Sequence, residues 1–113
     1  MSKEFDLYLR FGKEKLRQLK SYRDIAKKVK EIVQKHLGKV DIYVFGSLVE
    51  GETTALSDID VLVVVDSVSR DEAYKLKAKV HELVKAPVEL HVASTWEFEN
   101  WYKRFIGKLE RVI

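Results

Sequence analysis

The sequence predicts an α/β domain of the α+β kind, with elements in the order α, α, β, short α, β, α, β, α. Three observations carry this prediction. Apolar residues recur at helical spacing over residues 22–37 and again over 73–84. Two β-branched runs, residues 40–45 and 58–65, lie between those helices. Residues 88–92 then alternate apolar and polar side chains with the period of a strand.

Residues 3–20 read as a first helix, with Phe5, Tyr8, Leu9, Leu16 and Leu19 near one stripe and Gly12 as its weak point. Ser21 restarts the pattern, and with Asp24 three residues on it resembles a capping signal. The second helix carries Tyr22, Ile25, Ala26, Val29, Ile32, Val33, His36 and Leu37, and Gly38 is a natural C-cap. Residues 40–45 form a strand that Gly46 stops. Residues 47–57 hold turn formers, with room for one helical turn after Ser47. Residues 58–65 are the most strand-like run, and the unbroken apolar tail 61–65 predicts burial on both faces.

Ser69 and Glu72 form a capping box for a helix through Ala73, Leu76, Val80, Leu83 and Val84, which Pro87 ends. In the third strand Val88, Leu90 and Val92 share one face, and Glu89 and His91 the other. Ser94 and Glu97 make another capping box, followed by Phe98, Trp101, Tyr102, Phe105, Ile106 and Leu109 at helical spacing. The expected organisation is one domain over residues 1–113: N-terminal helices at 1–38, a sheet region at 40–92 and a C-terminal helix at 94–113.

At 113 residues, 46% hydrophobic and 35% charged, the chain suits one modest core. The absence of cysteine excludes disulfides, thiolate metal sites and a cysteine nucleophile. No apolar run approaches the ~18 residues of a membrane span, so no membrane role and a cytoplasmic location are the expectation. Residues 1–39 hold 12 Lys/Arg and 5 Asp/Glu, net +7, and residues 40–113 hold 9 and 13, net −4, which sums to +3. A basic front half suits nucleic acid or an acidic partner. The plainer reading makes Lys27, Lys28, Lys30 and Lys35 the solvated face of an amphipathic helix.

The chemistry concentrates in residues 44–65, VFGSLVEGETTALSDIDVLVVV. If the second run is extended, Asp58 and Asp60 project from one side of the sheet, since residues i and i+2 share a face. Two neighbouring carboxylates repel each other unless a hard divalent cation such as Mg²⁺ sits between them. Gly46-Ser47 opening a helical turn suits a phosphate, because glycine lets backbone N–H groups approach and a helix N-terminus is electropositive. Glu89 offers a third carboxylate. Three acids with one or two Mg²⁺ ions are hardware for phosphoryl or nucleotidyl transfer.

Gly46-Ser47, ten intervening residues, then Asp58-Ile59-Asp60 in a hydrophobic strand resembles the signature of the nucleotidyltransferase superfamily that includes DNA polymerase beta. The short length resembles its minimal, stand-alone members. The resemblance covers about residues 22–93 and implies a small mixed β-sheet of three to four strands flanked by helices. It also implies transfer of a nucleoside monophosphate, AMP from ATP by default, to an acceptor hydroxyl. On it, Gly46 and Ser47 hold the triphosphate and Asp58 and Asp60 bind the Mg²⁺ ions. Glu89 activates the acceptor hydroxyl and ligates one metal, with His91 on the same face as the fallback.

Minimal members often carry arginine shortly after the Gly-Ser, where this chain has Leu48, Val49 and Glu50. Either a cation arrives from elsewhere or turnover is weak. Minimal members also lack an acceptor domain, and in many genomes they pair with a helical HEPN-type protein as a toxin–antitoxin module. Trp96, Phe98, Trp101, Tyr102, Phe105 and Ile106 fit such an interface, though a core helix shows the same spacing. The rival readings are a catalytically weak, antitoxin-like nucleotide-binding module and a nucleic-acid-binding protein. A homodimer is open as well. His36 reads as a packed histidine, Gly51 as a turn residue, and His81 and His91 lack partners at zinc-ligand spacing.

Overall fold

The computed structural model describes residues 3–54 and 56–113. Position 55, within the expected loop, and positions 1 and 2 lie outside the described residues. Two helices come first, α1 (Lys3–Lys20) and α2 (Tyr22–Leu37). They lead into β1 (Asp41–Phe45), the single turn α3 (Ser47–Glu50) and β2 (Ile59–Val64). Then come α4 (Arg70–Leu83) and β3 (Val88–Ala93). The last helical stretch is α5 (Thr95–Glu97), a π-helical turn (Phe98–Tyr102) and α6 (Lys103–Phe105), before a short strand β4 (Glu110–Arg111). The sheet has the order β3-β2-β1-β4. β2 pairs parallel with β3, while β1 runs antiparallel to both β2 and β4, so the sheet is mixed as expected.

The central strand explains the architecture. Ile59, Val61, Leu62 and Val63 are completely buried, as the unbroken apolar run requires, and each contributes about 1.5–3 kcal/mol of burial. One face packs Ile42, Val44, Ile59, Val61, Val63 and Leu90 against Ala26, Val29 and Val33 of α2 and Leu76 and Val80 of α4. The other face carries Leu62, Val64 and Ala93 under Phe98, with Tyr43, Phe45, Tyr102 and Leu109 around them. Tyr43 and Phe98 stack at 5.1 Å. The helical spacing of the lysines on α2 corresponds to solvated surface: Lys27, Lys28 and Lys35 are exposed, and Lys30 donates to the Val112 carbonyl at 3.1 Å.

Three expectations change. The C-terminal helix does not reach residue 113: Ile106 turns extended after α6, and the chain returns as β4 beside β1. Tyr22 donates to Glu110 at 2.9 Å and Arg23 pairs with it at 2.7 Å, fastening β4 to α2. Ser21 lies between α1 and α2 without a side-chain cap bond, because one turn residue with φ −93° leaves the two helices nearly continuous. Asp58 precedes β2 rather than opening it. The Ser69 and Ser94 capping boxes are both formed.

Candidate active site

The site is assembled where β1 ends and β2 and β3 begin. Gly46 follows β1 with φ 86° and ψ −160°, backbone open essentially to glycine alone. It has a second reason to be glycine. A Cβ at Gly46 would run into the Asp60 carboxylate, so the bare backbone leaves that carboxylate its place. The Gly46 carbonyl accepts from the N–H groups of Val49 and Glu50, closing α3 as one turn. Gly51, left-handed at φ 78°, ends it.

Ser57 then ties the loop down. It is buried, and its hydroxyl oxygen accepts from the Thr54 N–H at 2.9 Å and from the Ser47 hydroxyl at 3.1 Å. The Ile59 N–H donates to the Pro87 carbonyl at 2.7 Å, which starts the parallel ladder. That ladder sets Asp60 opposite Glu89 and Leu62 opposite His91, while the antiparallel ladder sets Asp60 opposite Phe45. Register alone therefore brings two carboxylates and an imidazole to one sheet face.

His91 Nε2 lies 3.4 Å from Asp60 Oδ1 and 3.9 Å from Glu89 Oε1, with the Phe45 ring 5.1 Å from the imidazole. Ligand atoms of Asp60, Glu89 and His91 all lie within 4.8 Å of one another. Asp60 and His91 side chains are 23% and 27% exposed, and Glu89 is 60% exposed, so the group faces a reachable surface. Two acids and an imidazole suit a divalent cation, the carboxylate oxygens matching Mg²⁺.

The structure thus joins Asp60 and Glu89, sets Gly46 directly against Asp60 and links Ser47 to the loop through Ser57. His91 belongs to the same group as Glu89 rather than replacing it. Asp58 is exposed and lies outside that group, since one residue ahead of β2 no ladder holds it to the Asp60 face. Ser57 is the residue whose part the sequence hides: a serine among turn formers gives no sign of burial. The turn after Gly46 supplies no cation, with Leu48 buried, Val49 half-buried and Glu50 exposed. Gly107 comes close to Glu50, where an added Cβ would fall 2.9 Å from Glu50 Oε1, and this brings the segment of Lys108 alongside α3.

A cleft of about 500 Å³ opens at the opposite ends of β2 and β3 and is lined by Asp66, Ser69, Arg70, Tyr74, Lys77 and Glu97. Asp66, Ser69 and Glu97 there are already engaged by the two capping boxes and the Thr95–Asp66 hydrogen bond, and the remaining polar liners, Arg70, Tyr74 and Lys77, offer no carboxylate to a cation. Donor chemistry, not volume, selects the Asp60 face.

Comparison with known proteins identifies the family. The model of the nucleotidyltransferase domain matches residues 25–113. A crystal structure of a protein provisionally named a nucleotidyltransferase is 33% identical at a TM-score of 0.63, covering 77% of this chain and 96% of that one. A second, from Sulfolobus solfataricus, is 21% identical at a TM-score of 0.61, covering 85% and 83%, and supports the fold. A weaker likeness, TM-score 0.47 and 23% identity over 63% and 55%, is to a Shewanella oneidensis complex of a tri-AMPylated HEPN toxin with its MNT antitoxin. At that level the likeness says nothing about what this chain does. No curated protein sequence matches the chain. The paired carboxylates, the glycine turn that seats one of them, and a match over residues 25–113 place this chain in the nucleotidyltransferase domain family.

Proposed function

We propose that the chain transfers a nucleoside monophosphate, AMP from ATP in the first instance, to an acceptor hydroxyl. The observation that carries the reading is the register of Asp60 against Glu89, with Gly46 holding open the space of the Asp60 carboxylate. Asp60 and Glu89 would hold Mg²⁺, with exposed Asp58 beside the strand as a further oxygen ligand. Bound there, the ion would neutralise triphosphate charge and favour a departing pyrophosphate.

The chain's own residues supply the rest. Backbone N–H groups of the first turn at Gly46 and Ser47 receive phosphate oxygens. Ser57 keeps Ser47 and the loop in place. Glu89, more exposed than Asp60 and His91, accepts the proton of the acceptor hydroxyl as its oxygen bonds to the α-phosphorus. His91, against the carboxylate of Asp60, holds that side chain toward the site. The acceptor is a hydroxyl on a helical, HEPN-type partner, a reading supported by the exposed Trp96, Trp101 and Phe105 of the last helical stretch. One observation favours a second reading, a nucleotide-binding module with little turnover: the turn after Gly46 carries Glu50 and no cation.

The test is label transfer from α-labelled ATP with Mg²⁺ to the product of the neighbouring gene. Transfer that Asp60→Asn and Glu89→Gln abolish supports the enzyme. Nucleotide binding without transfer supports the second reading. Calorimetry showing no nucleotide binding with Mg²⁺ rejects both.

A further inference from the structure

The first helix is the large element that the nucleotidyltransferase domain does not account for. The family match begins at residue 25, while α1 spans Lys3–Lys20. Of the 18 residues of α1, Leu19 alone is buried. Tyr8 is 77% exposed, Leu9 43% and Leu16 38%. The molecule measures 53 Å along one axis against 28 and 23 Å across, as expected when a helix about 27 Å long stands off the sheet domain. An amphipathic helix of this length draws most of its stability from packing, and here little of it is packed.

At helical spacing Phe5, Tyr8, Leu9, Gly12 and Leu16 fall within an arc about 100° wide, a face suited to another helix. Gly12 stands in mid-arc with open space above it, where a second backbone can come close. The charges on the flanks say which helix. Asp6, Lys13 and Lys20 lie along one flank of the arc, Glu4 and Lys15 along the other. Glu4 and Asp6 lie in the first turn, and Arg17 and Lys20 in the last. A parallel pair of such helices would set acid beside acid and lysine beside lysine. An antiparallel pair sets Asp6 of one copy near Lys20 of the other, and turns the acidic first turn of each copy toward the basic last turn of its partner. Among the described residues Glu4, Asp6, Lys15 and Lys20 make no ion pair.

We propose that α1 pairs antiparallel with α1 of a second copy of this chain, across a two-fold axis near Gly12. Both copies then present the same patch, as an isologous interface demands. Aromatic side chains bury about 150–250 Å² each, so the exposed share of this stripe comes to on the order of 500 Å² per copy. The pair buries on the order of 1,000 Å² in total, the lower end for a specific interface, where weak and transient complexes fall.

Sedimentation equilibrium of the full chain over about 1–300 µM, a range suited to a weak and transient pair, tests this. The expected result is reversible dimerisation. Two charge variants, Glu4→Lys with Asp6→Lys and Lys15→Glu with Lys20→Glu, should each be monomeric. Mixed in equal amounts, they should form a heterodimer, because each then meets the opposite charge at both ends. Circular dichroism of each variant confirms that the helices persist, and recovery on mixing excludes misfolding as the cause of dissociation. A wild-type monomer at every concentration overturns the proposal and leaves the stripe to another chain or a lipid surface. Dimers that survive both charge variants, or variants that fail to associate on mixing, overturn it too.

Discussion

Replacing Gly46 with alanine separates two costs that the turn combines. Gly46 sits at φ 86°, ψ −160°, a region that costs an L-residue about 1–3 kcal/mol. Gly38 sits at nearly the same place, φ 78°, ψ −150°, at the end of α2. A Cβ on Gly38 meets nothing within 4 Å, whereas a Cβ on Gly46 meets the Asp60 carboxylate, with the Asp60 Cγ at 3.4 Å. Both substitutions should lower stability by about 1–3 kcal/mol, and for a domain of this size each kcal/mol lowers Tm by about 4–8 °C. Only Gly46→Ala should also displace the Asp60 carboxylate. The clash falls on Asp60 Oδ2, so the carboxylate must turn about Cα–Cβ or Cβ–Cγ and leave the orientation it holds beside Glu89 and His91. Mn²⁺ binding, followed by electron paramagnetic resonance at a temperature where both variants are folded, should therefore weaken about tenfold or more in Gly46→Ala and stay unchanged in Gly38→Ala, the scale seen when a ligand's support is lost. Equal metal affinity in the two variants would refute the idea that the bare glycine backbone seats Asp60.

Ser57→Ala removes a buried acceptor from the Thr54 N–H and the Ser47 hydroxyl, and should cost about 1–3 kcal/mol in urea denaturation. Phe98→Ala empties the space under the π-helical turn and should cost about 3–5 kcal/mol, with loss of the near-ultraviolet dichroism from the Tyr43–Phe98 stack. The hydrogen bond from Arg23 holds the Glu110 carboxyl below its ordinary value of 4.5, against the opposing effect of desolvation. A depressed value in the folded state means that Glu110 stabilises the fold above about pH 4.5, and that this contribution disappears as pH falls through the lowered value. Glu110→Gln should therefore flatten the acid limb of a stability–pH curve and leave its neutral-to-alkaline shape unchanged.

Much of the site was legible because its parts are local patterns. Gly46 breaks a β-branched run, Asp60 sits in the run that follows, and the alternation in β3 puts Glu89 and His91 on one face whatever the fold. Other features depend on partners distant in sequence. Asp58 and Asp60 share a face only if the strand includes both, and the ladder begins at Ile59, where its N–H meets the Pro87 carbonyl. The end of the last helix was hidden for a similar reason. Leu109 continues the helical stripe, yet the residue that follows it, Glu110, finds Tyr22 and Arg23 on a helix more than eighty residues earlier, and the chain leaves the helix to reach them. A two-residue strand such as β4 has no period to read.

The sequence by itself determined the order of elements as far as the last helix, the doubly buried central strand, the two capping boxes and the glycine–aspartate pattern, because short-range periodicity and local backbone chemistry specify them. Only the tertiary structure decided which acids meet, that His91 joins them, that Ser57 supports the turn, and that α1 stands unpacked beyond the domain. Those outcomes depend on strand register and on which surfaces remain uncovered, and both are set by contacts between residues far apart in the chain.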